Sequence, residues 1–271
     1  VLYFPQNSRG AMAQKQHQAT ASFETVKNAL PTGRRFTYAR RPTPLSAFTL
    51  GMSSISSGDR AIYEAFFATV DGRLRSFTYL DPNGNLVPAS EDFSASSWTL
   101  AGVSAGSAVT DPFGGTCAMS MASTGSDGIM YAPVLPSGGA IGFWLCASVW
   151  AKAPASGTKL AIGFRSSSGA NLGRASFDCP ANDWTRIRYA VQLVMSDPVY
   201  VQIGGDSTWA SRTINLFGAQ VSPMRGPGAY AKTPGNLGMV TNCRFGTDSL
   251  EFRNIGNNEW SVDIQIQQKG P

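Results

Sequence analysis

Short runs rich in Val, Ile, Thr, Phe and Tyr, separated by clusters of Gly, Pro, Asn, Asp and Ser, recur along most of the chain. That texture predicts a mainly β protein. One stretch breaks it. In residues 57–70, Ile62, Phe66 and Val70 recur at helical spacing, Ser57 or Asp59 can cap the start, and Asp71-Gly72 ends the run. Around this helix, strands are expected at residues 35–39 and 47–55, flanking a turn at Arg41-Pro42-Thr43-Pro44, and at residues 76–80.

At Asp81-Pro82-Asn83-Gly84-Asn85 the texture shifts to Gly, Ser and Ala and stays so until Tyr230-Ala231-Lys232-Thr233-Pro234. At least eight strand-like runs fall in between, among them residues 141–150, 159–165, 186–194, 199–204 and 212–221, with turns such as Ser137-Gly138-Gly139 and Gly204-Gly205-Asp206. A two-sheet jelly roll is the expected arrangement. The tail predicts strands at residues 239–245, 249–253 and 260–267, with a hairpin turn at Ile255-Gly256-Asn257-Asn258-Glu259. So short a tail has too little core to fold alone. The fold class expected is therefore a small discontinuous β domain with one helix, residues 1–81 and 234–271, interrupted by an inserted β-sandwich, residues 82–233.

Composition narrows the classes. With 42% hydrophobic and 11% aromatic residues over 271 positions, a disordered chain is excluded. The net charge of +5 is concentrated at the front: residues 1–80 carry ten Lys/Arg against four Asp/Glu, and the rest is nearly balanced. Arg34, Arg35, Arg40 and Arg41 supply much of this excess. No aromatic-interleaved RNA motif or recognition helix accompanies them, which favours a solvated or protein-facing strand over nucleic acid. No run of about 18 apolar residues predicts a membrane span, and the opening Val1-Leu2-Tyr3-Phe4-Pro5 lacks the basic flank of a secretory signal, so synthesis in the cytoplasm is expected. Cys117, Cys146, Cys179 and Cys243 lack zinc-ligand spacing and are expected as buried thiols.

Catalytic patterns fare poorly. Gly102-Val103-Ser104-Ala105-Gly106 matches a nucleophile elbow, but a strand and turn follow it, and His17 is the sole histidine. Asp81 to Asp92 echoes a calcium loop, yet Leu86 stands where Gly is required, so a β-turn is expected. Asp178 and Asp183, or Asp197 and Asp206, sit where turns call for Asp. No enzyme is expected. Sugar binding needs an exposed flat aromatic with polar neighbours. Trp144 and Trp150 share a strand and an apolar run, and Trp184 precedes a strand, so all three are expected in the core. Trp209, in a polar stretch, is the stacking candidate, with Asp206 and Arg212 as polar companions.

The outer segments resemble the M-type minor tail and distal-tail proteins of long-tailed phages. The matching run is Phe48-Thr49-Leu50, Glu64-Ala65-Phe66-Phe67 and the segment from Gly72 through Phe77-Thr78-Tyr79-Leu80-Asp81-Pro82, closed by residues 240–245 and 260–267. The insert is similar to carbohydrate-binding-like jelly rolls of phage tail and fibre proteins, on residues 85–93, Trp98, Trp184-Thr185-Arg186, Leu216-Phe217-Gly218-Ala219-Gln220-Val221 and Tyr230-Ala231-Lys232-Thr233. The resemblance implies a virion tail component that forms a homo-oligomeric ring, contacts other tail proteins and presents a module to host-surface glycan. The alternatives are a tail-associated polysaccharide depolymerase and an insert that is structural decoration. No cofactor is implied beyond a structural calcium such as jelly-roll sugar modules often hold, for which Glu91 and Asp92 are the candidate ligands.

Overall fold

The helix α1, Ser57–Thr69, starts where Ser56 and Asp59 form a capping box: the Ser56 side chain accepts from the Asp59 backbone N–H and Asp59 accepts from the Ser56 N–H. It stops at Asp71 and Gly72, both in the left-handed region. Its inward stripe is Asp59, Tyr63, Phe66 and Val70, whereas Ile62 faces solvent. The spacing argument thus found the helix and two of its inward residues, Phe66 and Val70, but not Ile62, and the cap is Ser56 with Asp59 completing the box rather than Ser57.

The computed structural model describes residues 1–270 apart from 14–15, 30–31, 42, 126–127 and 236, so Pro42 of the expected turn lies outside the described residues. The strands, in chain order, are β1 Gln16–Ser22, β2 Thr25–Ala29, β3 Arg35–Ala39, β4 Leu45–Ile55 and β5 Phe77–Leu80. Then come β6 Thr99–Ala101, β7 Val103–Val109, β8 Ala118–Ser123, β9 Ile129–Leu135 and β10 Trp144–Lys152. They are followed by β11 Thr158–Ser166, β12 Asn171–Cys179, β13 Thr185–Gln192, β14 Val199–Gly204 and β15 Thr213–Ser222. The last three are β16 Met239–Phe245, β17 Arg253–Gly256 and β18 Glu259–Gln268.

Two units result, one from Val1–Ala11 with Leu80–Met239 and one from Met12–Tyr79 with Val240–Pro271. The smaller unit has a sheet ordered β1-β4-β18-β16-β5, with β17 paired to β18. Phe66, Phe67, Phe77 and Phe245 make its aromatic core, with ring centroids 4.9–6.1 Å apart. The β17–β18 turn uses Asn257 and Asn258 at positive φ, as a tight hairpin requires. The strand expected at residues 249–253 forms later, as β17. In the same unit, β2 and β3 pair only with each other among the described residues.

The larger unit is a β-sandwich of two five-stranded antiparallel sheets, β13-β10-β15-β8-β7 and β12-β11-β14-β9-β6. The chain passes repeatedly between them, the jelly-roll arrangement expected. Facing inward are Leu145, Val149, Ile187, Ile214 and Leu216 from one sheet and Leu160, Ile162, Phe164, Val201 and Ile203 from the other, all buried. Residues 1–11, expected with the outer domain, belong to this unit. Gln6 holds them: its side chain donates to the carbonyls of Trp144 and Pro223 and accepts from the Trp144 N–H, while Phe4 is buried. Near the start of the insert, the buried Asn85 side chain donates to the carbonyls of Ala219 and Ala231 and accepts from the N–H groups of Val87 and Val221.

Candidate functional site

Because side chains alternate along a strand, every residue pointing inward leaves its neighbours on the outer face. On the sheet containing β11 the inward set on that strand is Leu160, Ile162 and Phe164, so Ala161, Gly163 and Arg165 lie on the outer side. Cross-strand register then aligns one row across all five strands: Arg174 on β12, Gly163 on β11, Gln202 on β14, Tyr131 on β9 and Thr99 on β6. At ordinary interstrand spacing this row is about 19 Å long. A second row beside it holds Asn171, Arg165, Tyr200 and Pro133.

These two rows make an aromatic and polar platform. Tyr131 and Tyr200 meet edge to face with centroids 5.9 Å apart, and the Arg165 guanidinium lies over the Tyr131 ring at 4.4 Å. Gly163 provides a low floor between the rows' side chains. Its missing Cβ is required, because one there would stand 2.2 Å from the Gly173 carbonyl oxygen. Gly205, at φ +82°, leaves room in the same way for Arg174 Nη1 and Gln202 Nε2, both within 4 Å of where its Cβ would be. Gln202, 7% exposed, lies at the bottom of the platform, with Tyr131, Arg165 and Tyr200 half-buried and Arg174 and Thr99 exposed. Half-exposed tyrosines beside amide and guanidinium donors are the parts that stacking on a sugar ring and orienting its hydroxyls require.

The expected stacking residue is elsewhere. Trp209 is 0% exposed, within a short 3-10 turn, Ser207–Trp209, and its ring packs against Gly204, where a Cβ would come within 2.7 Å. A buried ring offers no face to a ligand, so the assignment of Trp209 as a sugar platform is corrected. Asp206 caps the turn, accepting from the Thr208 N–H and hydroxyl. Burial raises the Asp206 carboxyl, but hydrogen bonds from Ser176 and Thr208 and the nearby Lys159 outweigh it and hold the group below its ordinary 3.8. Arg212 donates to the Thr158 hydroxyl. These two are scaffold, positioned by the turn that carries Trp209.

The proposed calcium ligands are engaged with protein partners. Glu91 pairs with Lys232 at 2.5 Å and accepts from the Tyr230 hydroxyl at 2.9 Å, and Asp92 accepts from the Ser94 N–H and hydroxyl. No group of three or more His, Cys, Asp or Glu side chains suited to a metal occurs among the described residues. The Asp81 segment is the expected turn, with Gly84 N–H bonded to the Asp81 carbonyl. Ser104 lies on β7, and the sole histidine, His17, bonds the Tyr79 hydroxyl.

Trp144 and Trp150, expected in the core, stand on the outer face of the other sheet, since β10 turns Leu145, Ala147, Val149 and Ala151 inward. Trp150 joins Phe217, Tyr230 and the 70%-exposed Phe113 in an aromatic cluster. The polar groups there are already satisfied within the protein: Arg186 donates to Ser148, Gln220 and the Gly228 carbonyl, and Tyr230 to Glu91. That leaves the cluster few donors to offer a sugar. Cys117 is exposed rather than buried, whereas burial pushes the Cys146 and Cys179 thiols up to about 11 and Cys243 to about 12.

Sequence reasoning missed Tyr131, Arg165, Arg174, Tyr200 and Gln202 because it searched for tryptophan. A signal existed, in polar residues at alternate positions of otherwise apolar runs, such as Tyr200 and Gln202 between Val199, Val201 and Ile203.

No protein-family model and no curated protein matches the chain. Among solved structures, the chain is similar to the xylan-binding domain of CBM 22, at TM-score 0.41 and 13% identity over 53% of this chain and 97% of that one. It is similar to the C-terminal family 22 carbohydrate binding module of Clostridium thermocellum Xyn10B, at TM-score 0.41 and 15% identity over 55% and 98%. A third likeness is to the enzymatically active domain of bacteriophage CBA120 tailspike protein 4, at TM-score 0.39 and 16% identity over 53% and 22%. The chain spans about a quarter of that tailspike domain, as it does of an α-L-arabinofuranosidase of which it covers 26%. At these scores and identities the likenesses carry no argument about what this chain binds.

Proposed function

We propose that the protein is a structural component of a phage-type tail tip whose sandwich binds glycan on the host surface, without catalysing its cleavage. The observation that carries the glycan reading is the row Arg174-Gly163-Gln202-Tyr131-Thr99 with Tyr200 and Arg165 beside it. A wide, flat strip suits an extended polymer, which a closed cavity would not admit. The tail reading rests on the resemblance of the outer segments and is supported by the hairpin β2–β3, whose exposed apolar face suits assembly with another protein surface.

The test is a glycan array of bacterial surface polysaccharides probed with the full chain and with a Tyr131→Ala, Tyr200→Ala double variant. Binding by the native chain, lost in the variant while its melting temperature stays close to native, is expected. Retention of all binding by the variant would place the site elsewhere. No signal from the native chain on any glycan would favour an insert that only decorates the tail. Release of reducing ends from a bound polysaccharide would instead identify a depolymerase.

A further inference from the structure

The charge on the platform specifies the class of glycan. Arg174 projects from β12 directly opposite Gly163, is exposed, and has neither ion pair nor hydrogen bond among the described residues. Arg165, on the neighbouring row, has the Tyr131 ring as its partner and no carboxylate. The carboxylates of the same sheet end are already used: Asp178 pairs with Lys159 at 3.9 Å, and Asp206 accepts from Ser176 and Thr208. Two cations without counter-ions therefore flank a strip of aromatic and amide surface. On the other sheet Arg186, by contrast, donates to Ser148, Gln220 and the Gly228 carbonyl.

We propose that the platform takes an anionic glycan, with Arg174 and Arg165 engaging acidic groups on the sugars while Tyr131 and Tyr200 stack on the rings. This rests on the glycan-binding reading above and deepens it. A guanidinium presents a planar fork of donors matched to a carboxylate or sulfate, and its charge-assisted hydrogen bonds exceed those a neutral hydroxyl can make. Arg165, already held over the Tyr131 ring at 4.4 Å, loses less freedom on binding than a loose side chain would. The two acidic groups in question, a uronate carboxylate and a sulfate ester, present the same chemistry to the fork and are separated by experiment.

Affinity electrophoresis and calorimetry of the full chain against polygalacturonate, dextran sulfate, dextran and xylan test it. The comparison includes Arg174→Gln, Arg165→Gln, their double variant, and a control with Arg34→Gln and Arg35→Gln on the hairpin. Binding to polygalacturonate or to dextran sulfate, whichever is tighter naming the acidic group, is expected to exceed binding to dextran and xylan. Arg174→Gln should weaken it by about tenfold to a hundredfold, the double variant should abolish it, and the hairpin control should bind as the native chain does. Equal or tighter binding to the neutral polymers, unchanged in Arg174→Gln, would overturn the proposal while leaving glycan binding intact. Polyanion binding lost in the hairpin control and kept in the double variant would overturn it as general charge attraction. No retardation by any of the four polymers overturns it, and the separate glycan array then decides whether the broader reading falls with it.

Discussion

Trp209 shows how a residue's neighbours in sequence can mislead about its neighbours in space. Its flanks are polar because a 3-10 turn needs capping groups, and the turn exists to deliver the ring into the sandwich against Gly204. Trp209→Ala is accordingly expected to destabilise the sandwich by about 3–5 kcal/mol, the usual range for emptying a buried aromatic site. Chemical denaturation would measure this. A Trp209→Ala protein of native stability that no longer binds glycan would restore the stacking role. Asp206 gives the same turn a pH dependence. Its carboxyl titrates below the ordinary 3.8 when folded, so it contributes stability above the unfolded value that is lost as pH falls through the folded one. Melting temperature followed from pH 6 downward should fall less steeply in Asp206→Asn than in the native chain below about pH 4. Parallel curves would show that the hydrogen bonds from Ser176 and Thr208 do not distinguish the two charge states.

Among the elements, the β2–β3 hairpin is the one whose own interactions account least for its conformation. Its cross-strand pairs Val26 with Tyr38 and Asn28 with Phe36 share one face, and Lys27 with Thr37 the other. Phe36 and Tyr38 are 55% and 53% exposed. A lone two-stranded hairpin is marginal in water, and paired exposed aromatics on one face suit burial against a partner. The arginine cluster divides between roles here: Arg40 and Arg41 lie within ion-pair distance of Glu24, while Arg34 and Arg35 are exposed. If this arm mediates self-association, Phe36→Ser with Tyr38→Ser should shift the full chain from oligomer to monomer in light scattering, with little change in melting temperature. A native chain that is already monomeric across the concentration range would remove self-association through this arm.

The whole molecule has two separate cores, an aromatic one beneath α1 and an aliphatic one between the sandwich sheets. Two cores of different size and composition predict two unfolding transitions in calorimetry rather than one. Because a ligand stabilises only the unit that binds it, a glycan held on the β11 sheet should raise the transition of the sandwich and leave the other in place. A shift in both transitions, or in the smaller unit's alone, would contradict binding on that face.

Periodicity by itself located many of the strands, the helix and the point where the texture of the insert begins, because backbone preference and alternation are local properties. The strand expected at residues 199–204 is β14, and that at 239–245 is β16, residue for residue. The edge strands β6, of three residues, and β12, of nine, escaped, since largely exposed strands carry little burial signal. Nor could spacing tell which face of β10 looks inward, and so Trp144 and Trp150 were expected in the core. The platform was beyond reach for a related reason: Arg174, Gln202, Tyr131 and Thr99 come from four strands distant in sequence, and only the pairing of β12, β11, β14, β9 and β6 puts them in one row. Local chemistry decides what each strand can present, and tertiary register decides which of those side chains stand side by side.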